Sequence, residues 1–434
     1  MHPSSTIEIP YKSDSAEWAA SFADLPGFAF LDSRKRRRGT GEVDIICALP
    51  ERHYNLVDYS SLTDVWIDEI ERDLAATAQS EGAIVIGYLD FESTSAALGV
   101  PSLSLKPACA ALYRWHLCQD HGKERSYIFF DPLVSAQTRS LVEQRLTEPV
   151  NKSNQTDFDL DAPFSADTDP QDFLTSVDSI RRYIAAGDCY QVNFAHRFST
   201  TFSGDLYAAY KKMRNVAPGD FSAFLNLTQG HRVLSLSPER FMSVEGRHIV
   251  TQPIKGTAAR ARDPEEDTRI AETLRRSPKD RAENVMIVDL LRNDLGKLCE
   301  TGTVSVPSLC ALESFDNVHH LVSTVTGTLR ADCTSGRALV ECSPGGSITG
   351  APKRRAVEII KELETAPRGI YCGSVFALKA NGWLQSSIAI RTLEAVDKTL
   401  YCWGGGGITF DSIPEAEYQE TLDKVGVFMR ALEN

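Results

Sequence analysis

Apolar residues recur along this chain at two spacings, and each spacing predicts a different kind of element. Tyr190, Val192, Phe194, His196 and Phe198 alternate with their neighbours, as do Phe221, Ala223, Leu225 and Leu227, which predicts half-buried strands. Shorter apolar runs at 27–31, 45–49, 83–88, 126–130, 233–237 and 241–244 read the same way, and further strands are expected at 321–325, 370–379, 384–393 and 399–403. Helical spacing appears at 65–74 and 135–146, and again at Phe173, Val177, Ile180 and Ile184, where Gly187 supplies the stop. Asp263-Pro264 and Ser277-Pro278 each pair an N-cap with proline at the first helical position, and Asp280 completes an approximate capping box. A long final helix is expected from about 414 to 432. Strands in runs, with helices too irregular for a βαβ series, predict an α+β fold with large antiparallel sheets. Pro238-Glu239-Arg240 interrupts one run, a break that turns Glu239 sideways.

The polar, acidic stretch 151–170 reads as a linker between a less legible N-terminal region, 1–150, and a sharply patterned region, 171–434. With 46 Lys plus Arg against 59 Asp plus Glu, the formal charge is −13, which argues against a general nucleic-acid surface. The basic run Arg34-Lys35-Arg36-Arg37-Arg38 is expected to be a solvated loop. Ten cysteines without a C-x-x-C pair or zinc spacing predict reduced thiols. There is no basic-then-apolar start and no apolar run of ~20 residues, so a cytoplasmic protein with no membrane partner is expected.

Candidate chemistry gathers after residue 230. In Pro253-Ile254-Lys255-Gly256-Thr257 a lysine ends an extended run and leads through glycine toward a charged helix. It is either a surface lysine on a turn or, if walled by apolar groups, a free amine able to act as a nucleophile. Asp280 and Glu283 lie three apart on one predicted helix, and Glu417 and Glu420 repeat that spacing on another, with Lys424 following. These are hard oxygen ligands of the kind Mg²⁺ takes, or two solvated helix faces. The run from Gly345 to Lys353 and the glycines at 404–407 read as anion-binding turns or as plain tight turns. Neither matches a nucleotide-binding fingerprint. Of His319 and His320, on a strand, one must face away from the other.

In order and wording these segments resemble the chorismate-utilising enzymes, which include anthranilate synthase large subunits and isochorismate and salicylate synthases. The matching blocks are Gly187-Asp188-Cys189-Tyr190-Gln191-Val192-Asn193, Ser237-Pro238-Glu239-Arg240-Phe241 and the Lys255 segment. Further matches run from Ala282-Glu283-Asn284 to Asn293-Asp294, through His320-Leu321-Val322-Ser323 and Gly345 to Lys353, and on to Ile390-Arg391-Thr392 and Pro414 to Thr421. The resemblance implies two large packed antiparallel sheets with outer helices, and Mg²⁺-dependent chemistry on chorismate. It implies that Glu283 and Glu420 hold Mg²⁺, supported through water by Asp280 and Glu417. Thr257, Ser347, Thr349, Tyr371, Arg391, Gly405, Gly406, Gly407 and Lys424 are implied to bind the substrate. Glu239 is the implied general acid, with His320 hydrogen-bonded near it. Leu31 and Ser33 match the place where such enzymes hold tryptophan, although the segment from Ala217 to Phe221 departs from the pattern there.

Two positions sort the members. Anthranilate synthases resemble this chain but carry alanine at the place of Lys255, and the water-using members carry a lysine base near Gln191. Lysine at 255 with glutamine at 191 resembles the branch that aminates chorismate at C4 on the way to 4-aminobenzoate and folate. A Gly-x-Cys-x-Gly nucleophile elbow is lacking, so ammonia is expected from a separate glutamine amidotransferase subunit. The alternatives are an anthranilate synthase large subunit and a tryptophan-binding regulatory subunit without catalysis.

Overall fold

Strands from before residue 150 and from after residue 170 join in both of two antiparallel sheets, each sheet setting a block of early strands beside a block of later ones. The structure is a computed structural model and describes residues 5–33, 43–59, 62–77, 81–101, 104–148, 157–216, 219–315 and 318–433. The basic run at 34–38, the first part of the 151–170 stretch, and Ala217 and Pro218 lie outside the described residues.

The larger sheet has 13 strands among the described residues. It runs from Ser5–Ile9 at one edge, through Val43–Cys47, Ala29–Asp32, Phe221–Thr228, His231–Ser237 and Thr392–Val396, to Thr399–Ile408 and Gln191–Ser203. Short strands Asp159–Leu160 and Ser165–Ala166 pair with Gln191–Ser203, so the described part of 151–170 is tied to a sheet. The smaller sheet has 10 strands, with Ile254–Ala259, Val318–Thr328, His248–Thr251, Arg240–Glu245, Leu384–Ile388 and Ser374–Leu378 in its site-bearing half. Between the sheets lies an apolar layer in which Ala29, Ile45, Ala223 and Leu225 of one meet Ile84, Ile86, Tyr88 and Val375 of the other. Helices cover the outer faces. Helix Pro170–Ala185, for example, buries Phe173, Val177 and Ile180 at the spacing read from the sequence. This is the expected α+β architecture of two packed sheets with helices outside.

Two places where the chain leaves one sheet for the other position the site. His231–Ser237 belongs to the larger sheet and Arg240–Glu245 to the smaller, so Pro238-Glu239 spans the gap. The run expected as one strand at 384–393 is likewise two strands, Leu384–Ile388 and Thr392–Val396, in different sheets. The break falls at Arg391, whose φ of 51° lies in the left-handed region and turns the chain out of its first sheet. The crossings are neighbours: Ser235 pairs with Thr392, Arg240 pairs with Ser387, and the Ile388 N–H donates to the Glu239 carbonyl at 3.1 Å.

A second correction concerns the glycines at 404–407, which form no turn. They are the second half of strand Thr399–Ile408, paired residue by residue with Gln191–Ser203. Their missing side chains matter because other groups approach the strand closely.

Candidate active site

Lys255 stands on strand Ile254–Ala259, which continues past the lysine; the helix expected after Gly256 begins only at Pro264. Ile254 pairs with Val322 and Thr257 with His320, so one extra residue bulges out of the ladder at Lys255-Gly256. Gly256 takes a φ of +82°, and a Cβ there would lie 3.0 Å from the Asp280 Cβ, so the bulge needs glycine for both conformation and space. The bulge points Lys255 inward, and its ammonium donates to the Ser347 carbonyl at 3.0 Å. Burial pulls the lysine pKa below its ordinary value, opposed by the charges of Glu239, Glu283 and Glu420.

Glu239 reaches the same space from the crossing and is 5% exposed. Burial pushes its pKa up, against Lys255, a hydrogen bond from the Ser347 hydroxyl, the Ile254 N–H and Arg391. Ser347, in the tight turn Gly346–Ile348, therefore touches both groups, Lys255 through its carbonyl and Glu239 through its hydroxyl. Desolvation penalises both charges, so it favours carboxylic acid and free amine over carboxylate and ammonium. The two forms carry the same single proton. Such a pair can present a nucleophile and an acid together.

His320 faces this cleft. Its Nδ1 lies 2.8 Å from the Thr257 hydroxyl, and burial drops its pKa to about 4, so the ring is neutral near pH 7. The expected link to Glu239 is not what holds the ring, which is fixed by Thr257 and the Gly256 backbone. His319 points the opposite way, to Ser314 and Asp267.

The glycine strand forms the facing wall. A Cβ at Gly405 would meet the Tyr371 hydroxyl at 2.9 Å, and one at Gly407 would meet the Gln191 side-chain nitrogen at 2.0 Å. At Gly406 it would stand 3.4 Å from Glu417 Oε2, 3.6 Å from Lys424 Nζ and 3.7 Å from Glu420 Oε1. These glycines keep open a cradle that any side chain would fill. Lys424 Nζ donates to the Gly405 carbonyl at 2.9 Å, and the Tyr371 ring stacks on Trp403. Gln191 Oε1 is buried against this wall without a hydrogen-bond partner. Thr349 is fully buried, and its hydroxyl donates to the Gly345 carbonyl at 3.0 Å, closing the turn.

Beyond Gly406 lie the carboxylates of two helices. Glu283 projects from Pro278–Leu298, where the Ser277 cap forms as expected, and Glu417 and Glu420 project from Pro414–Glu433. Burial pushes Glu283 up, and Asp280 and Glu417 add repulsion against the pull of Lys255 and Lys279. Burial and Glu420 also raise Glu417, which accepts from the Ser412 hydroxyl at 2.7 Å. Glu420 is desolvated too, but its ion pair with Lys424 at 2.7 Å leaves it below its ordinary value. Crowded hard-oxygen groups around an open cradle fit a small divalent cation. Among the described residues no three His, Cys, Asp or Glu side chains gather at one ligating point.

Arg391 enters the cleft from the second crossing, with Glu239 in its field. Leu31 and Ser33 lie elsewhere, on a cavity of about 180 Å³ between the sheets that Phe221, Trp383 and Gln385 also line. There the Ser33 hydroxyl is already committed to Asp44 at 2.6 Å.

Sequence reasoning missed Arg368, which is 1% exposed and braces the site from behind. It pairs with Glu364 at 2.6 Å, lies over the rings of Phe91 and Tyr371, and donates to the carbonyls of Ile348 and Asn193. Its i,i+4 spacing from Glu364 was readable, but not its burial, because the pair lies just beyond helix Lys353–Leu363, with Glu364 as its C-cap. Lys279 was missed as well.

A family model for chorismate binding enzymes matches residues 28–430. The chain is 39% identical to aminodeoxychorismate synthase component 1 of Klebsiella aerogenes, over 99% of each chain. It is 32% identical to anthranilate synthase component 1 of Geobacillus stearothermophilus, over 97% of this chain and 88% of that one. Its fold superposes on the crystal structure of anthranilate synthase component I from Streptococcus pneumoniae TIGR4 with a TM-score of 0.74 at 27% identity, covering 99% and 93% of the two chains. Among the described residues no helix is long and apolar enough to cross a membrane. With the match spanning both crossings, the lysine bulge and both acidic helices, the chain belongs to the chorismate-binding enzyme family.

Proposed function

We propose that this protein aminates chorismate at C4, giving 4-amino-4-deoxychorismate. The observation that carries this reading is Lys255 on its inward bulge, with a buried acid opposite. As a free amine, Lys255 adds to C2 of the ring, the two ring double bonds shift, and the C4 hydroxyl leaves. Glu239 donates the proton that makes this group depart as water. Ammonia then adds at C4, the double bonds shift back, and the lysine nitrogen is expelled from C2. One ammonia is consumed and one water released, and the lysine and the acid recover their starting protons as the ammonia loses one.

The other residues bind and orient. Arg391, Tyr371 and the backbone amides of Gly405 to Gly407 take one substrate carboxylate, Arg391 by a two-pronged clasp. Glu283 and Glu420 hold Mg²⁺, with Asp280 and Glu417 behind them. When bound, the metal neutralises the second carboxylate against these acids. Lys424 steadies that carboxylate from the glycine strand. Neutral His320, fixed by Thr257, offers a ring N–H rather than a second positive charge beside Lys255.

The relatives' designation as component 1 supports a partner component, and we assign to it the release of ammonia from glutamine. The cavity at Leu31 and Ser33 is assigned to tryptophan by resemblance, which a calorimetric titration with that amino acid tests. For the activity itself, the protein is incubated with chorismate, Mg²⁺ and ammonium. A product converted to 4-aminobenzoate only after a separate lyase is added supports the reading. Anthranilate fluorescence without lyase contradicts it.

A further inference from the structure

The metal reading leaves one charged side chain of the site without a task. Lys279 lies four residues before Glu283, so both project from one face of helix Pro278–Leu298. Helix stability does not explain a lysine there. It occupies the first turn, where the helix dipole disfavours a cation, and a lysine preceding its glutamate is the weaker order for an i,i+4 pair. The other two lysines are held, Lys255 by the Ser347 carbonyl and Lys424 by Gly405 and Glu420. Lys279 is exposed and, among the described residues, is tied to no single acceptor. Its charge nevertheless acts on Glu283 of its own helix and on Glu417 and Glu420 of the other. It is thus an exposed ammonium within electrostatic reach of three carboxylates, two of which, Glu417 and Glu420, border the cradle at Gly406.

We propose that Lys279 is the exchangeable cation of this site, neutralising Glu283, Glu417 and Glu420 in the metal-free protein and giving way when a divalent cation enters. The inference rests on the assignment of these carboxylates to Mg²⁺. Its physical content is a competition. Without a cation the two helix faces repel one another, and with a fixed one the metal could not enter. A long, untethered side chain meets both needs, because it can swing into solvent with its charge still hydrated.

Titration of Mg²⁺ alone into the whole protein by calorimetry, without chorismate, tests this for wild type, Lys279→Met and Lys279→Arg. Removing one unit charge several ångströms from a dication at a half-exposed site should tighten Mg²⁺ binding roughly fivefold to tenfold. Lys279→Met should also melt lower than wild type without metal and recover when Mg²⁺ is added, whereas Lys279→Arg should follow wild type in both. Mg²⁺ binding to Lys279→Met that is no tighter than to wild type overturns the proposal. A raised KM for chorismate at unchanged Mg²⁺ affinity also overturns it, making Lys279 a substrate contact instead. If wild type binds Mg²⁺ and Lys279→Met binds it equally, only this inference fails; if wild type binds none, the metal assignment fails with it.

Discussion

The cleft has two poles of opposite construction. At one, Lys255 and Glu239 meet where the chain bulges and crosses between sheets, in surroundings that penalise both charges. At the other, half-buried Glu283, buried Glu417 and exposed Glu420 stand on two helices among lysines. The first pole suits proton and bond exchange, because desolvation brings an amine and an acid toward their uncharged forms. The second suits ion binding, because its carboxylates repel one another beside an open cradle and are only partly compensated. A dianionic substrate lying between them would have its carboxylates held by charge and its ring placed against the reactive pair.

The comparison breaks first at the buried pole. Lys255→Ala should reduce amination to below about one-thousandth of wild type while leaving the melting temperature within a few degrees. Product quantitation beside a thermal melt checks both halves, and retained 4-amino-4-deoxychorismate formation would remove the lysine from the chemistry. Glu239→Gln should lower kcat by roughly 10²–10⁴-fold, the usual worth of a positioned acid.

The sign of the pH dependence follows from the shared proton. Lysine is shifted down and glutamate up, so activity should peak while the pair holds one proton. On the acid side the pair gains a second proton and Lys255 becomes ammonium. On the alkaline side it loses its proton and Glu239 becomes carboxylate. Glu239→Gln should therefore keep the acid limb and lose the alkaline one in kcat, and a profile shaped like wild type would show that another group supplies the proton.

Smaller effects belong to the second pole. Glu283→Ala or Glu420→Ala should raise the Mg²⁺ concentration for half-maximal rate by about tenfold or more, with Lys255 chemistry recovered at saturating metal. An unmoved Mg²⁺ titration would strike that residue from the ligands. Smallest of all, Gly405→Ala places a methyl against Ala195 and the Tyr371 hydroxyl, and should cost about 1–3 kcal/mol of stability together with a higher chorismate KM.

The two poles also differ in how far the chain announces them. Asp280, Glu283, Glu417 and Glu420 are legible from spacing within single helices, where position along the chain fixes position in space. The Lys255 pole is not. Its inward direction depends on a one-residue register slip against His320, and Glu239 and Arg391 meet only because two strands change sheets side by side. Alternation cannot signal such a change, which is why 384–393 reads as one strand and the glycines at 404–407 as a turn. Family resemblance supplied the roles there, and the structure supplied the bulge, the Ser347 bridge and the bracing Arg368. The major elements, the helix caps and the large antiparallel sheets followed from periodicity and turn chemistry, whereas the packing of two such sheets with helices outside came from the resemblance.

Mass analysis of the protein, rapidly quenched after mixing with chorismate and Mg²⁺ in the absence of ammonia, tests the central claim most directly. The account predicts an adduct with the mass of chorismate less one water, located on the peptide carrying Lys255 and discharged when ammonium is added. Ammonium-dependent product from the same preparation, with no adduct at any quench time and undiminished turnover by Lys255→Ala, would contradict it.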